Sequence, residues 1–291
     1  MSSYPRLPPE LRWKASSRYS WRQRPHQSGG NFPMEISTRT PDSRPARRIA
    51  DGFLASAVLV AIWKLGSLAV GIEMILPPPE RVLGVFGGLI ESPRFLAALG
   101  ATALRGMAAF SLSMLLGSAF GFLMGSSSRF RSYMGPLLTV IRATPVLAII
   151  LLALIWFHSD TVPVFAAVVM AFPVVASDVA AGVRSADPRL IEMAVLFDVP
   201  PRRIALDIRL PSALPHVIAG ARNAIGLSWK VVVAGEVLSL PKHALGTGMQ
   251  TARVMLETAE VFAWAAAGIL LCAFSDAIFE AFARKSTWPT A

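Results

Sequence analysis

Six long runs of apolar residues dominate the pattern of hydrophobic and polar positions along this chain. Each run is about 20 residues long, which is the length that an α-helix needs to cross the apolar core of a bilayer. The six runs occupy residues 52–72, 106–125, 137–157, 162–183, 217–238 and 261–283. The pattern therefore predicts an all-α integral membrane protein with six transmembrane helices.

Positively charged residues in the connections predict the orientation of these spans. If the N-terminus lies in the cytoplasm, the inner segments hold 19 Lys and Arg residues and the outer segments hold five. Cytoplasmic connections of membrane proteins are enriched in these residues. We therefore expect both termini in the cytoplasm, as an even number of spans also requires.

Smaller patterns predict local features of the bundle. The prolines at 77–79 break any helix after the first span, and residues 80–91 are expected to form a short amphipathic helix. Residues 158–161 leave room only for a tight turn between the third and fourth spans. In the second span, glycines recur at every fourth position, at Gly117, Gly121 and Gly125, which favours close packing of another helix.

Composition and charge narrow the class of protein. Of the 291 residues, 54% are apolar and 16% are charged, whereas about 25% are charged in soluble domains. Most of the net charge of +10 lies in residues 1–48, which hold ten basic and three acidic residues. A cytoplasmic tail explains this charge better than nucleic-acid binding. We expect the tail to be disordered, and either Met1 or Met34 to be the first residue of the mature protein.

The residues that carry enzymatic or metal chemistry are sparse. A single cysteine, Cys272, excludes an internal disulfide framework. The four histidines are scattered and show no spacing that is typical of metal ligands. We therefore predict neither catalytic nor metal-binding residues.

The inner segment between the fourth and fifth spans, about 185–211, has an unusual pattern. Asp187 followed by Pro188 predicts a helix start, and Leu190, Ile191, Ala194 and Phe197 fall on one apolar face. The residues around 198–201 break that helix, a second helix is expected over 202–208, and Leu210-Pro211 is expected to end it. This helix–turn–helix is too polar to span a membrane and too apolar on one side to be a free loop. It therefore predicts docking into a groove on a partner.

This segment resembles the EAA loop of permease subunits of ATP-binding-cassette importers, whose pattern is E-A-A-x3-G-x9-I-x-L-P. The matching residues are Glu192, Met193, Ala194, Asp198, Ile208, Leu210 and Pro211, and the spacing agrees throughout. Met193 replaces the second residue of the pattern and Asp198 replaces its glycine. A glycine at a turn suggests a left-handed backbone, which aspartate tolerates at a cost on the order of 1 kcal/mol.

Further motifs resemble the nitrate/sulfonate/taurine-type branch of these permeases. They are Leu76-Pro77-Pro78-Pro79, Arg142-Ala-Thr-Pro145, Trp156-Phe157, Gly220-Ala-Arg222, Trp229 to Glu236, and Leu245-Gly246. The resemblance covers about 63–284 and implies the type I importer permease fold. On this basis we expect a first helix with its outer connection over 49–93, the ABC transmembrane type-1 domain over 94–283, and a short C-terminal segment over 284–291.

The resemblance also implies partners and a role. The loop would couple to a dimer of cytoplasmic ATPase subunits, a periplasmic or lipid-anchored binding protein would deliver a small anionic solute, and a second permease copy would complete the pathway. ATP would bind to the partner ATPase, and this chain would bind no cofactor, since none of its five lysines lies in a GxxxxGK[ST] motif. The expected location is a bacterial inner membrane.

Charged, aromatic and kink-forming residues within the spans are the candidates for the solute pathway. They are Arg142, Pro145, Arg222, Trp229, Lys230 and Glu236. The alternative for Arg142 is that its side chain reaches the inner interface and has no role in transport.

Two other functions compete with the importer permease. A secondary transporter driven by an ion gradient would favour inverted repeats, which this sequence does not display convincingly. An intramembrane enzyme would require paired acids or a histidine cluster, whereas Asp178 and Asp276 are single acids in separate spans. Neither alternative gives the helix–turn–helix segment a role.

Overall fold

The structure, a computed structural model, describes residues 45–286, and every regular element in this range is helical. The elements are α1 (Pro45–Val70), α2 (Pro79–Ile90), α3 (Pro93–Ser126), α4 (Ser128–Ala143), α5 (Val146–Trp156), α6 (Val162–Arg184), α7 (Pro188–Leu196), α8 (Pro201–Arg203), a π-helical segment (Ile204–Arg209), α9 (Leu210–Ser239), α10 (Leu245–Val254) and α11 (Thr258–Ser286). The predicted all-α class is confirmed.

The chain divides into two compact units, Met1–Gly52 and Phe53–Ala291. The described part of the first unit is 45–52, the first turns of α1. The expectations for the tail, including disorder and the choice between Met1 and Met34, fall almost entirely outside the described residues.

Membrane-spanning helices account for most of the second unit. Within the described residues, four helices are long and apolar enough to cross a bilayer: Pro93–Ser126, Val162–Arg184, Pro201–Ser239 and Thr258–Ala283. The pair α4 and α5 raises the number to five if together they form one span. The apolar part of α1, Leu54–Val70, is shorter. The second, fourth, fifth and sixth predicted spans are thus found as helices, and a total of six stays a prediction.

The third predicted span, 137–157, is not one continuous helix. The chain bends by 96° between α4 and α5. Thr144 has the extended conformation (φ −73°, ψ 128°), as does Pro145 (φ −60°, ψ 132°). Because a proline ring clashes with a helical residue before it, Thr144 leaves the helical region and the helix stops. The prediction of an unbroken span was wrong at this proline.

The helix after the inner segment does not end at Leu210-Pro211 as predicted. The short helix α8, the π-helical segment and α9 form one continuous helix over Pro201–Ser239. In the π-helical segment the Leu210 N–H donates to the Ala205 carbonyl, five residues earlier. Proline lacks the N–H that continues a helical ladder, and the wider π-helical turn just before Pro211 accommodates its ring. The second half of the inner segment, from Pro201 onward, is therefore continuous with a spanning helix.

Close packing of α3 against α6 forms the centre of the bundle. A Cβ atom on Gly117 would lie 2.5 Å from Val175 Cβ, and one on Gly125 would lie 2.4 Å from Val183 Cβ. A Cβ on Gly121 would lie 2.5 Å from the Ala176 carbonyl oxygen. Real Cβ atoms do not approach this closely, so the three glycines are required for this packing. The predicted glycine ridge is confirmed.

Two short helices, α2 and α10, lie at the predicted outer side. The short helix expected over 80–91 is found as α2, and the Lys64 side chain donates a hydrogen bond to Glu80 there. This hydrogen bond lowers the pKa of the exposed Glu80 carboxyl. Sequence patterns did not predict α10, which follows the left-handed residue Leu240 (φ 52°) at the end of α9.

Candidate coupling loop and solute pathway

The inner segment begins with a capped helix. The Asp187 carboxylate accepts a hydrogen bond of 2.9 Å from the Arg189 N–H, and Pro188 occupies the first helical position of α7. Both features match the predicted helix start. The Asp187 carboxylate satisfies a backbone N–H that has no acceptor within the helix. The ring of Pro188 fixes its φ angle at a helical value.

The turn that follows α7 has the conformation inferred from the family glycine. Asp198 has φ 53°, in the left-handed region. The Val199 N–H donates to the Ala194 carbonyl (2.9 Å), and the Asp198 N–H donates to the Val195 carbonyl (3.1 Å). These two bonds form a Schellman motif, which normally places glycine at the left-handed residue. The turn geometry is therefore kept even though Asp198 replaces glycine.

The predicted apolar face of this segment is divided between two environments. Ala194 is only 7% exposed, and Ile204 of the π-helical segment is equally buried. By contrast, Phe197 of the predicted face is 77% exposed, and the neighbouring Leu196, which was not part of that face, is 82% exposed. Ala194 thus helps to hold the segment together, whereas Leu196 and Phe197 present apolar surface outward. Of the other matching residues, Glu192, Met193, Leu210 and Pro211 are exposed and Ile208 is half-buried.

At the far end of α9, Glu236 is fully buried. Its carboxylate accepts hydrogen bonds from the Thr102 hydroxyl (2.9 and 3.0 Å), the Gly246 N–H (3.2 Å) and Arg105 Nη1 (2.9 Å). These partners belong to α3 and α10, so one carboxylate ties three helices together. A buried carboxylate requires this degree of pairing, because an unpaired charge in a low dielectric is very costly.

Arg105 extends this arrangement to the protein surface at the predicted outer side. Its Nη1 also donates to the His243 carbonyl (2.9 Å), and its Nη2 donates to Asp160 (2.5 Å) in the connection between α5 and α6. The Arg105 side chain is 12% exposed and that of Asp160 is 67% exposed. We call Thr102, Arg105, Asp160 and Glu236 the outer polar cluster. Every charged group in it has a partner within this chain.

The predicted pathway residues on α9 separate into two groups. Glu236 and Trp229 are buried, and Trp229 packs against Gly106, where a Cβ would lie 2.4 Å from its ring. Arg222 and Lys230 are exposed on the single chain. Between them, a Cβ on Gly226 would meet no atom within 4 Å. The open side of α9 therefore carries two cations.

The other two predicted pathway residues lie at the break between α4 and α5. Arg142 is in the last turn of α4, and its Nη2 donates to the Pro173 carbonyl of α6 at 2.8 Å. Pro145 causes the bend itself. Arg142 thus fixes the end of α4 to the middle of α6, about half the length of α6 away from the outer polar cluster.

Sequence reasoning missed Thr102, Arg105 and Asp160. Arg105 was counted only as an outer positive charge, although it lies inside α3 and immediately before an apolar run. A signal was present, because Arg105 and Glu236 are opposite charges at the outer ends of two predicted spans.

Among the residues that the structure describes, no group of three or more His, Cys, Asp or Glu side chains lies close enough to hold a metal ion.

An apolar helical bundle with a rigidly attached, exposed helix–turn–helix at one end defines a membrane permease subunit that works with another chain. The protein belongs to the family described as binding-protein-dependent transport system inner membrane component, whose model matches residues 113–288. It therefore has the type I permease fold and is a subunit of an ABC importer. It is not an enzyme, and ATP hydrolysis takes place on a partner chain.

Relatives from three organisms are similar over most of the chain. A Bacillus subtilis protein named as an aliphatic sulfonates transport permease is 31% identical over 89% of this chain and 93% of its own length. The taurine transport system permease protein of Escherichia coli is 29% identical over 79% of this chain and 86% of its own. The nitrate import permease protein of Synechococcus elongatus is 26% identical over 62% of this chain and 68% of its own. These names support the nitrate/sulfonate/taurine branch.

Proposed function

We propose that two copies of this chain form the pathway for a small anionic solute across a bacterial inner membrane. In this proposal both termini lie in the cytoplasm, and the solute arrives from a periplasmic or lipid-anchored binding protein. The loop around α7 docks on a dimer of ATPase subunits, which bind and hydrolyse the ATP. No cofactor is bound by this chain.

The observation that carries the proposal is the exposed apolar surface at the loop. Leu196 and Phe197 are largely exposed next to a turn that is fully hydrogen-bonded internally. A rigid loop that presents large apolar side chains to water gains stability when a partner covers them. An ATPase subunit is the partner that the family requires at this place.

A mechanism follows from the continuous helix over Pro201–Ser239. At 1.5 Å per residue it is about 60 Å long, enough to reach from the loop to the outer polar cluster. A displacement of the loop therefore moves the outer end of the same helix. The contact of Arg142 with α6 also couples movement of α6 to α4, and the bend at Pro145 lets α4 move relative to α5. Both residues stay candidates for the pathway.

The proposal that the solute is an anion rests on two cationic residues of α9 and on the names of the relatives. Arg222 and Lys230 lie on the open side of α9, and charged groups at this depth face polar cavities rather than lipid. The relatives are named for the transport of aliphatic sulfonates, taurine and nitrate, which all have an anionic group. A second copy facing this side would enclose the cations in a shared pathway, since closed two-fold assemblies are common.

The test is a tagged purification from mild detergent, with mass spectrometry of the proteins that co-purify. We expect a stoichiometric ATPase subunit and two permease copies in each complex. Liposomes that contain the complex should take up solute only when ATP and the binding protein are supplied. Recovery of this chain alone, active in gradient-driven uptake, would overturn the proposal and favour a secondary transporter.

A further inference from the structure

An open apolar groove of about 950 Å³ lies between α3, α6 and α9. Residues from Phe110 to Leu123 of α3 and from Leu210 to Val217 of α9 form its walls, and Val179 of α6 lies between them. Its described lining contains two serines and no charged residue. At 1.5 Å per residue the groove extends over about 20 Å along α3. It is therefore long, narrow in composition and suited to an apolar chain.

The groove occupies one half of the membrane. Leu123 and Leu210 lie within a turn of the inner ends of α3 and α9, and Phe110 lies near the middle of α3. There the ring of Phe110 meets that of Phe279 of α11, with 6.5 Å between the centroids. One leaflet accounts for half of the ~30 Å apolar core of a bilayer. The length of the groove thus matches one acyl chain of the inner leaflet.

A cation stands at the inner end of the groove. Arg209 directly precedes Leu210, and its Nη1 donates to the Ser126 carbonyl at the end of α3 (3.3 Å). Among the described residues the Arg209 side chain has no second hydrogen bond and no ion pair. A guanidinium has five N–H donors, so most of them remain for another acceptor. Residues 201–209 hold three arginines and one aspartate, which makes this end of the groove positive.

The groove and the candidate pathway cations lie on different sides of α9. Leu210 and Leu214 are both exposed in the groove. At 3.6 residues per turn, Lys230 lies roughly 160° around the helix from both leucines, and Arg222 lies roughly 80–120° from them. A second copy that faces the two cations therefore leaves the groove open to lipid.

We propose that the groove binds an anionic phospholipid of the inner leaflet, with one acyl chain along α3 and the phosphate on Arg209. The free N–H donors of an arginine match the oxygens of a phosphate, and basic segments at a membrane surface attract anionic lipids. The net positive charge of residues 201–209 favours phosphatidylglycerol over a zwitterionic lipid. The inference goes beyond the proposed function and takes only its leaflet, the cytoplasmic one, from the proposed orientation.

The position of Arg209 links this lipid to coupling. Arg209 belongs to the π-helical segment that joins the loop to α9, and it also holds the end of α3. A phosphate on the same guanidinium connects the membrane to both elements. ATP-driven uptake by the reconstituted complex is therefore expected to fall when phosphatidylglycerol is replaced by phosphatidylcholine.

A first experiment identifies what fills the groove. A photoreactive amino acid replaces Ala119, an exposed residue of the groove, in complexes reconstituted into liposomes with both lipids in each leaflet. The control position is Leu104, which is 75% exposed in the outer half of α3. We expect adducts at position 119 to be enriched in phosphatidylglycerol and adducts at position 104 to follow the composition of the membrane. Crosslinking of position 119 to a second permease copy or to another protein would overturn the proposal.

A second experiment tests the role of Arg209 by native mass spectrometry in detergent. The complex is offered equal amounts of phosphatidylglycerol and phosphatidylcholine with the same acyl chains. We expect one tightly held lipid per permease copy, with phosphatidylglycerol preferred about fivefold. Arg209→Met should abolish this preference, whereas Arg209→Lys should keep part of it. Ala119→Trp fills the groove and should lower the binding of both lipids.

Matched controls separate the site from the fold and from a soluble ligand. Arg129→Met removes an exposed arginine of α4, outside the groove, and should leave the preference unchanged. An unchanged midpoint of thermal unfolding, measured without added lipid, shows that each variant is folded. An undiminished preference in Arg209→Met, or displacement of the lipid by an equal concentration of glycerol 3-phosphate, would overturn the proposal.

These measurements also tell this proposal apart from the proposed function. Lipid binding in detergent depends neither on the orientation in the membrane nor on the ATPase. If no ATPase co-purifies, the proposed function fails, and the same measurement on the permease alone still decides the lipid site. If ATP-driven uptake is found but Arg209→Met binds both lipids as the wild type does, the lipid site fails and the permease role stands.

Discussion

The regions at the two ends of the continuous helix over Pro201–Ser239 differ in how their side chains are satisfied. At the outer end, the charged groups Glu236 and Arg105 lie in apolar surroundings, and hydrogen bonds within the chain satisfy them. Just before its inner end, the end of α7 carries the apolar side chains Leu196 and Phe197, which lie in polar surroundings, and nothing in the described chain covers them. The outer end is complete in one chain, whereas the inner end is incomplete.

This difference shows where another protein is needed. A satisfied buried cluster stabilises the arrangement of the helices that it joins and gains little from a partner. An exposed apolar surface on a rigid loop gains stability only when it is covered. The outer polar cluster is therefore expected to determine folding of the permease, and the loop to determine its coupling to the ATPase.

The largest effect is expected from breaking the outer polar cluster. Glu236→Ala leaves Arg105 and the Gly246 N–H without their buried acceptor, and should lower the free energy of unfolding by about 3–5 kcal/mol. Asp160→Asn removes the exposed partner of the same arginine and should cost only about 0.2–1 kcal/mol. Chemical unfolding of both variants in detergent checks the difference. Equal effects would mean that burial does not distinguish the two carboxylates.

The next largest effect concerns the loop and should leave folding intact. Phe197→Asp places a charge on the exposed apolar surface and should weaken ATPase binding by about 2 kcal/mol or more. Phe197→Leu keeps the surface apolar and serves as the control. Titration of the purified ATPase subunit onto each variant measures the affinity. A normal affinity for Phe197→Asp would contradict docking at this surface.

A charge at Ala194 tests docking less well than a charge at Phe197. Ala194 is buried within the loop, so Ala194→Glu would also disturb the fold of the loop itself.

A third prediction concerns the packing that holds both ends together. Gly121→Ala forces α3 and α6 apart, since the new methyl group would meet the Ala176 backbone, and should destabilise the protein by about 1–3 kcal/mol. Gly100→Ala on the same helix meets nothing within 4 Å and should be neutral or stabilising by up to about 1 kcal/mol. Thermal unfolding measures both. Similar midpoints for the two variants would argue against close packing at Gly121.

The smallest effect is expected at the turn of the loop. Asp198→Gly restores the family residue at a left-handed position (φ 53°) and should stabilise the turn by on the order of 1 kcal/mol. Asp198→Val introduces a β-branched side chain at the same position and should destabilise it by more. Hydrogen exchange of the Val199 N–H reports the local stability. If Asp198→Gly exchanged faster, aspartate would have a stabilising role that the backbone does not reveal.

Local rules predicted several parts of the fold correctly. The N-cap at Asp187 and the glycine ridge at Gly117, Gly121 and Gly125 depend on neighbouring residues or on one helix face. The left-handed turn at Asp198 was expected from the glycine of the family pattern. The family resemblance was also carried by local spacing. Features that are decided within one turn or one face can be inferred from a single sequence.

Features that depend on tertiary contacts could not be inferred in this way. Proline did not have a constant effect: Pro145 breaks a helix, whereas the chain passes Pro211 through a π-helical turn. The pairing of Glu236 with Arg105 joins residues 131 positions apart, so sequence reasoning placed Glu236 in the pathway without its partner. The burial of Ala194 beside the exposed Phe197 likewise depends on how the loop folds back.

The most direct test of the incomplete inner end is photocrosslinking in native membranes. A photoreactive amino acid is introduced in place of Phe197, which is exposed on the loop, or in place of Ile155, which is 72% exposed near the outer end of α5. We predict a crosslink from position 197 to an ATPase subunit and none from position 155. Crosslinks to the ATPase from neither position, or from both equally, would contradict the assignment of this loop as the coupling surface.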